Sequence, residues 1–297
     1  MITKNQFEVL VTLDQEKDSP VTQRRLGELL ELSVGTVNKT LAELEELGLI
    51  DNKYVVSEEG YAALEPYRVK KAVILAAGFG SRLVPVTLNT PKPLVRVKGK
   101  RIIDGLLDAL LAVGIDDITL VRGYLKEEFD VLLNKYPMIK FIDNDIYNEA
   151  NNISSAVLVR DKIANAYVAE SDLLVYNPKI IRKYEYETNY LSKKVDVTDD
   201  WCFKTKSGYI TEVLIGGRDV HQMYGISYWS KEDADKFEKH SLEVFESPGG
   251  KEKFWDEVAL TNFKKDYKIA IRPCQEGDII EIDTFNELKQ IDETYNV

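Results

Sequence analysis

The residues best able to do chemistry lie in one stretch, Leu75 to Leu94, which reads LAAGFGSRLVPVTLNTPKPL. Gly78 and Gly80 allow the backbone to approach an anion closely, so that N–H groups converge on its oxygens. Arg82 and Lys92 add the positive charge that a departing polyphosphate needs. The stretch contains neither the GK[ST] of a Walker A loop nor the dinucleotide pattern GxGxxG. It therefore predicts a polyphosphate-binding loop of another kind.

The surrounding segments predict where this loop lies. It follows a short apolar run, KAVILA at Lys71–Ala76, and from there strand-like and helix-like segments alternate. They are KAVILA, RIIDGLLDALLAVG, DITLVRG, KEEFDVLLNKY, IKFID, a helix after Asn152, and AYVAES. This alternation predicts an α/β domain, with a Rossmann-like, doubly wound and mostly parallel sheet covered by helices. Ligands of such sheets bind at the carboxyl ends of the strands, where the loop is expected.

A different pattern fills residues 1–67. Apolar residues recur there at helical spacing, Ser19-Pro20 precedes the second predicted helix, and Ser33 is a candidate N-cap for the third. The segment LIDNKYVVSEEG follows as a short hairpin with Asp51-Asn52-Lys53 at its tip, and leads into a last helix. Three helices followed by a β-ribbon resemble the winged helix-turn-helix family. We therefore expect a winged-helix domain at 1–67 and a second domain at 68–297.

The charge of the N-terminal domain bears on DNA binding. Residues 1–68 contain seven Lys and Arg against thirteen Asp and Glu. A DNA-binding module normally presents a basic face to the phosphates. Four side chains could do so here, namely Arg24, Arg25, Lys39 and Lys53. DNA is thus a conceivable partner, with a protein contact or a regulatory role as the alternative.

Beyond the loop, three motifs carry a family resemblance. They are GYLKEEFD at 123–130, YNEANNISS at 147–155 and EID at 281–283. With the loop, they resemble the sugar-phosphate nucleotidyltransferases, and more closely the bacterial phosphocholine cytidylyltransferases. The chain departs from the family at Arg101, where proline is usual after Gly-Lys. The resemblance implies transfer of a cytidylyl group from CTP to phosphocholine, with Mg²⁺ as cofactor.

Carboxylates are the expected magnesium ligands, because Mg²⁺ prefers hard oxygen donors and substrate phosphates. The resemblance implies Asp172, at a strand end, and Asp283, near the C-terminus. Glu170 stands where the family often has aspartate, and its role stays open. We expect Glu281 and Asp283, two apart on a strand, to share one face.

The resemblance also indicates contacts for the nucleotide. The backbone of Leu75, Ala76 and Ala77 is expected to contact the base and ribose, together with polar groups of Asn152 and Ser154. The two polar residues have an equally good alternative as N-caps of the next helix.

The acceptor pocket is expected among aromatic residues near the C-terminus. A quaternary ammonium has no N–H to donate, so it binds by cation–π attraction and diffuse negative charge. Similar segments form the choline site of the phosphocholine cytidylyltransferases, so the resemblance implies Trp201, Trp255 and Asp256 as choline contacts, with Tyr228 as a further candidate. The site for a primary amine such as phosphoethanolamine or aminoethylphosphonate is expected to have more hydrogen-bonding acids and fewer aromatic rings. These acceptors and sugar 1-phosphates remain alternatives.

Composition narrows the remaining classes. His221 and His240 are the only histidines, and Cys202 and Cys274 share no metal-ligand spacing, so zinc or histidine-base chemistry is disfavoured. The net charge of −11 disfavours a broad nucleic-acid surface. No apolar run is long enough for a membrane span and no signal peptide is seen, so we expect a cytoplasmic protein. A regulator that only senses CTP or phosphocholine is the alternative to an enzyme.

Overall fold

The structure, a computed structural model, describes residues 1–18 and 21–296, so Ser19-Pro20 lies outside the described residues. It divides into two compact units. The N-terminal unit comprises Met1–Arg68 together with Lys183–Tyr186, and the C-terminal unit comprises Val69–Arg182 and Glu187–Val297. A boundary drawn at 67/68 from the sequence does not anticipate the short segment at 183–186. Within 1–18 and 21–296, no helix is long and apolar enough to cross a membrane.

The N-terminal unit is helical. Its helices are α1 (Lys4–Gln15), α2 (Gln23–Leu30), α3 (Val34–Glu46) and α4 (Glu58–Leu64). Ser33 caps α3 as expected, since its hydroxyl accepts from the Thr36 N–H. The predicted ribbon is reduced to a single β-bridge between Ile50 and Val56, because Asp51 binds the Lys53 and Val55 N–H groups and closes a tight turn.

The segment Lys183–Tyr186 completes the core of this unit. The Tyr184 side chain is 2% exposed, and Tyr184 forms an antiparallel bridge with Arg68. The ring of Tyr186 stacks on Tyr67, with centroids 5.2 Å apart, and lies 5.3 Å from Phe7. The unit is therefore built from two separate parts of the chain.

The C-terminal unit is an α/β structure around a seven-stranded sheet. The strands are β1 (Lys71–Ala76), β2 (Arg96–Val97), β3 (Lys100–Arg101), β4 (Asp117–Arg122), β5 (Lys140–Asp143), β6 (Ala166–Glu170), β7 (Leu173–Val175), β8 (Asn189–Lys206), β9 (Tyr209–Trp229), β10 (Ala270–Pro273) and β11 (Ile279–Glu281). The strand order in the sheet is β10-β8-β9-β6-β1-β4-β5. The helices are α5 (Asp104–Ala112), α6 (Ile153–Leu158), α7 (Lys231–Glu246) and α8 (Phe285–Ile291).

Parallel pairing dominates the side of the sheet that carries the loop. Strands β6, β1, β4 and β5 are parallel neighbours, whereas β9 runs antiparallel to both β6 and β8. The expected α/β fold with a mostly parallel sheet is confirmed, with β9 as its antiparallel member. The segment KEEFDVLLNKY forms a 3-10 helix at Lys126–Asn134 rather than an α-helix.

Both faces of the sheet are covered. Ala72, Ile74 and Ala76 of β1 face one hydrophobic cluster, which includes α5. Val73 and Leu75 face the other cluster, which includes α6 and α7. Because side chains alternate along a strand, every residue of β1 is buried from Ala72 onward, and the chain leaves the core where the glycine loop begins.

Candidate active site

A cleft of about 780 Å³ opens at the carboxyl ends of β1 and β6. The two strands are parallel neighbours in which Leu75 pairs with Glu170, so the loop after β1 and the acids after β6 emerge side by side. Thirteen of the predicted site residues line the cleft: Leu75, Ala76, Ala77, Gly78, Gly80, Arg82, Lys92, Asn152, Ser154, Asp172, Trp201, Asp256 and Asp283.

The glycine loop owes its shape to one close approach. Gly80 has φ +62°, and a Cβ there would lie 2.9 Å from the Cβ of Lys92. The Thr87 hydroxyl donates to the Gly80 carbonyl at 2.8 Å and holds the turn. At Gly78 a Cβ would meet no atom of the described chain within 4 Å, so this part of the loop faces open space.

Lys92 lies between two carboxylates. Its Nζ is 2.9 Å from Asp172 Oδ2 and 3.3 Å from Asp283 Oδ1. Burial alone lowers the pKa of Lys92, but the charges of Asp172 and Asp283 outweigh it and raise the pKa above its ordinary value. Lys92 is therefore a fixed cation inside the cleft.

Arg82 is placed differently. Its Nη2 donates to Asp283 Oδ1 at 2.7 Å, yet its side chain is 63% exposed. An exposed ion pair of this kind contributes little free energy, so Arg82 can exchange Asp283 for a phosphate at small cost.

Three carboxylates gather beside Lys92. Glu170, Asp172 and Glu281 each offer an oxygen within 4.8 Å of the others. Asp172 Oδ1 is buried and has no hydrogen-bond partner in the described part of the chain. Such an orphaned oxygen in a group of hard donors fits a divalent cation.

The position of Asp283 corrects one prediction. β11 ends at Glu281, so Glu281 and Asp283 do not share a strand face. Asp283 instead precedes α8, where Glu287 accepts from the N–H groups of Asp283 and Thr284 at 2.7 and 2.8 Å. Its carboxylate still reaches the cleft because this capping arrangement fixes the turn.

Three acids of the cleft have raised pKa values, which favour their neutral forms. Burial, followed by repulsion from Asp172, raises the pKa of Glu170 to about 8. Burial raises the pKa of Asp256 to about 7. The pKa of Glu281 is also raised well above its ordinary value, first by burial and then by Asp172 and Glu170. A bound cation would stabilise the charged form of all three.

Acids outnumber bases along the cleft. Two cationic residues line it, Arg82 and Lys92, against eight acidic ones among the described residues: Glu149, Glu170, Asp172, Asp200, Glu252, Asp256, Glu281 and Asp283. The loop can bind an anion, and the surplus acids elsewhere in the cleft can bind cations.

Neither the Asn152 nor the Ser154 side chain caps α6. Asn152 precedes α6, but its side chain makes no capping hydrogen bond in the described structure. Its amide instead binds Glu170 and the backbone of Trp255. The Ser154 hydroxyl donates to the Asn151 carbonyl and accepts from Asn144.

Two of the expected acceptor residues lie away from the cleft. Trp255 is 1% exposed and packs in the core against Trp229, with ring centroids 5.8 Å apart. Tyr228 is 4% exposed and packs edge-on against Tyr167 in the other hydrophobic cluster. Both predictions are corrected by these positions, since large aromatic side chains here fill the core.

The aromatic wall of the cleft is formed by Trp201, as expected, and by Phe254. Trp201 and Phe254 both line it, with ring centroids 5.8 Å apart in an edge-to-face arrangement. Phe254 is 40% exposed, so its ring is available to a ligand. The prediction of Trp255 as the acceptor ring was wrong, because nothing in the sequence fixes which of two adjacent rings points outward. Glu281, Asp200 and Glu252 also line the cleft and were not assigned acceptor roles.

The basic residues of the N-terminal unit lie on its surface. Arg24 and Arg25 each pair with Glu28, and Lys39 lies 3.9 Å from Glu43. Each of these candidate phosphate contacts therefore has an acid beside it.

Comparison with known proteins identifies relatives of both units. Residues 71–198 match the nucleotidyl transferase family model, and residues 2–53 match the MarR family model. The chain is 34% identical to the 2-aminoethylphosphonate cytidylyltransferase of Lancefieldella rimae, over 75% of this chain and 92% of that protein.

Two further similarities concern Streptococcus pneumoniae. The chain is 31% identical to its choline-phosphate cytidylyltransferase, over 75% of this chain and 97% of that protein. The solved structure of its CTP:phosphocholine cytidylyltransferase, LicC, superimposes with a TM-score of 0.71 at 31% identity, covering 76% of this chain and 99% of that chain.

Proposed function

The chain belongs to the nucleotidyl transferase family as a cytidylyltransferase with a MarR-like winged-helix unit, and on that premise we propose that it makes CDP-choline and pyrophosphate from CTP and phosphocholine with Mg²⁺. One observation carries the proposal. A single cleft joins the glycine loop and Lys92 to a group of three carboxylates and to the aromatic wall of Trp201 and Phe254. These parts match a triphosphate, a divalent cation and a cationic acceptor.

The reaction needs no protein base. A phosphate oxygen of the acceptor attacks the α-phosphorus of CTP, and the bond from that phosphorus to the bridging oxygen of pyrophosphate breaks. The acceptor oxygen is already ionised near neutral pH, so no proton moves. The protein contributes positioning and charge, through the loop N–H groups and through Lys92 and Arg82.

The residues suited to hold Mg²⁺ are Asp172, with its orphaned Oδ1, and its neighbours Glu170 and Glu281. Asp283 remains a proposed ligand on the family resemblance. Bound Mg²⁺ would supply charge neutralisation on the triphosphate as pyrophosphate forms.

For the acceptor, we propose that Trp201 and Phe254 face the trimethylammonium group while Asp256 provides negative charge nearby. An exposed ring attracts a cation by roughly 0.5–1 kcal/mol, and more when the pair is desolvated. Asp256 lines the same cleft and is only partly exposed, so its ionised form gains from a cation.

A second acceptor, aminoethylphosphonate, is favoured by a different observation. Asp200, Glu252 and Asp256 line the cleft and provide several carboxylate oxygens, which suit a primary ammonium with three N–H donors. The relative from Lancefieldella rimae carries the name of that activity.

Pyrophosphate release tests the proposal and ranks the acceptors. The full chain is incubated with CTP and Mg²⁺ together with phosphocholine, phosphoethanolamine, aminoethylphosphonate or a sugar 1-phosphate. We expect the highest kcat/KM with phosphocholine. A higher value with aminoethylphosphonate would transfer the proposal to that acceptor, and no release with any acceptor would remove the enzymatic claim.

The MarR family match makes DNA binding by the N-terminal unit a second candidate function. Seven basic against thirteen acidic residues in 1–68 weigh against it. Binding to the DNA upstream of its own coding region, measured at several salt concentrations, tests this candidate. A specific complex that weakens as salt rises would support it, and its absence favours a protein contact.

A further inference from the structure

Asn152 links two parts of the cleft that the sequence keeps a hundred residues apart. We propose that Asn152 is a positioning residue for the acceptor, which it serves by holding the segment Lys251–Asp256, and that it does not serve CTP directly. This inference rests on the proposed function, because it assigns a role within the same cleft.

The first support is the use of the Asn152 amide. Its Oδ1 accepts from the backbone N–H of Trp255 at 2.8 Å, and its Nδ2 donates to Glu170 Oε1 at 3.3 Å. The carbonyl oxygen and one N–H are therefore engaged within the protein. Its second amide N–H is the donor left over for any contact with the cytosine base.

Asn151 strengthens the attachment. Its backbone N–H donates to the Lys251 carbonyl at 2.7 Å, and its Nδ2 donates to the Glu252 carbonyl at 3.1 Å. Its Oδ1 accepts from the Asn152 N–H at 2.7 Å, which fixes the two asparagines relative to each other. The two bonds that Asn151 donates and the bond between Asn152 and the Trp255 N–H are three hydrogen bonds that join the pair to the segment Lys251–Asp256.

The attached segment carries acceptor residues. Glu252, Phe254 and Asp256 line the cleft, whereas the intervening Trp255 points into the core. This alternation depends on the backbone at Trp255, where Asn152 binds. Losing that bond would leave the Trp255 N–H without its partner and free the two flanking side chains to move.

Glu170 is the second group that Asn152 orients. A Cβ on Gly225 would lie 2.6 Å from Glu170 Oε2, so glycine at 225 leaves the space that this glutamate occupies. Its other oxygen, Oε1, receives the Asn152 amide. Glu170 is one of the carboxylates suited to Mg²⁺, and it is held by the space at Gly225 as well as by the 3.3 Å bond from Asn152. Loss of Asn152 should therefore disturb Glu170 less than the Trp255 backbone, which Asn152 binds at 2.8 Å.

Capping of α6 does not account for the Asn152 side chain. The residue occupies the N-cap position of α6, yet its side chain makes no capping bond in the described structure. An asparagine retained for capping would bond to the first turn of the helix. Its side chain is directed to Glu170 and Trp255 instead.

Steady-state kinetics of Asn152→Ala in the full chain test the proposal. Loss of these bonds should raise the KM for phosphocholine about tenfold, the cost of roughly one hydrogen bond, while the KM for CTP stays within about twofold. Asn151→Ala, which leaves Glu170 untouched, should act in the same direction and more weakly. Asn134→Ala, an exposed asparagine of the same unit, is the matched control and should change neither KM.

Hydrogen exchange in the ligand-free protein provides a readout that needs no turnover. Faster exchange at residues 251–256 in Asn152→Ala, and not in Asn134→Ala, is expected. Unchanged exchange, or a CTP KM that rises as much as the acceptor KM, would overturn the proposal. An inactive wild type in the acceptor panel would instead refute the proposed function, and the exchange result would still decide the role of Asn152.

Discussion

Lys92 in the cleft and Arg24 in the N-terminal unit are both cations beside acids, but their surroundings differ. The Lys92 side chain is 11% exposed and faces two carboxylates, whereas the Arg24 side chain is 86% exposed beside Glu28. Water screens the surface pair, and the buried group has no such screening. The burial of Lys92 between two carboxylates therefore indicates a functional role in the cleft. The positive charge of exposed Arg24 does not by itself indicate one in the N-terminal unit.

The largest loss of activity is expected from substitutions at the centre of the cleft. Lys92→Ala or Asp172→Ala should lower kcat by about 10³-fold or more, because each removes fixed charge that cannot be replaced by water. Pyrophosphate release measures the loss, and circular dichroism checks that the fold survives. Lys140→Ala, which removes an ion-paired lysine 69% exposed, is the control and should keep full activity. Normal turnover in both cleft variants would refute their assigned roles.

The next effect tests how the N-terminal unit is built. Tyr184→Ala should destabilise this unit by roughly 3 kcal/mol, since it empties a buried aromatic site in a core that the segment 183–186 completes. Urea denaturation followed by circular dichroism measures the change. Tyr176→Ala, at a tyrosine 52% exposed, should cost far less. Equal losses in the two variants would show that Tyr184 does not belong to the core of the unit.

A smaller, pH-dependent effect is expected at Asp256. Burial raises its pKa to about 7, above its value in an unfolded chain, so the stability it contributes is full below about pH 4 and is lost as pH rises through 7. Ionised Asp256 attracts the acceptor cation, so the acceptor KM should fall as pH rises toward 7, by at most about tenfold per unit.

Asp256→Asn isolates this titration. The variant should flatten both pH profiles near 7 and raise the acceptor KM at pH 8. Kinetics and thermal unfolding between pH 5 and 9 measure the two profiles. An unchanged pH dependence in the variant would assign the titration to another group.

The smallest effect is expected on the surface of the N-terminal unit. Arg24→Ala or Lys39→Ala should change the free energy of unfolding by less than about 0.5 kcal/mol, because each removes only an exposed ion pair. Turnover should be unchanged. A loss of more than about 1 kcal/mol would contradict the distinction between the two regions.

The sequence predicted the parts of the site that are local. Gly78, Gly80, Arg82 and Lys92 lie within fifteen residues, and the whole string around them predicted a phosphate loop. The family resemblance implied Asp172, and its place after a strand agrees with the rule that ligands bind at strand ends of parallel sheets. The alternating strands and helices likewise predicted the α/β fold.

The remaining features depend on long-range packing. Phe254 and Trp255 are adjacent, and only the docking of their segment decides that Trp255 enters the core. The segment 183–186 joins a unit that ends more than a hundred residues earlier, with no signal in its own composition. Asp283 is placed by the cap of α8, so the prediction that it shares a strand face with Glu281 was wrong.

Product analysis by ³¹P NMR tests the central claim most directly, because it follows both bonds in the proposed reaction. With CTP, Mg²⁺ and phosphocholine, the full chain should form CDP-choline and pyrophosphate in equal amounts, and Lys92→Ala should form no detectable amount of either in the time that the wild type needs for full conversion. CMP and pyrophosphate without CDP-choline, or CTP left unconverted, would contradict the account.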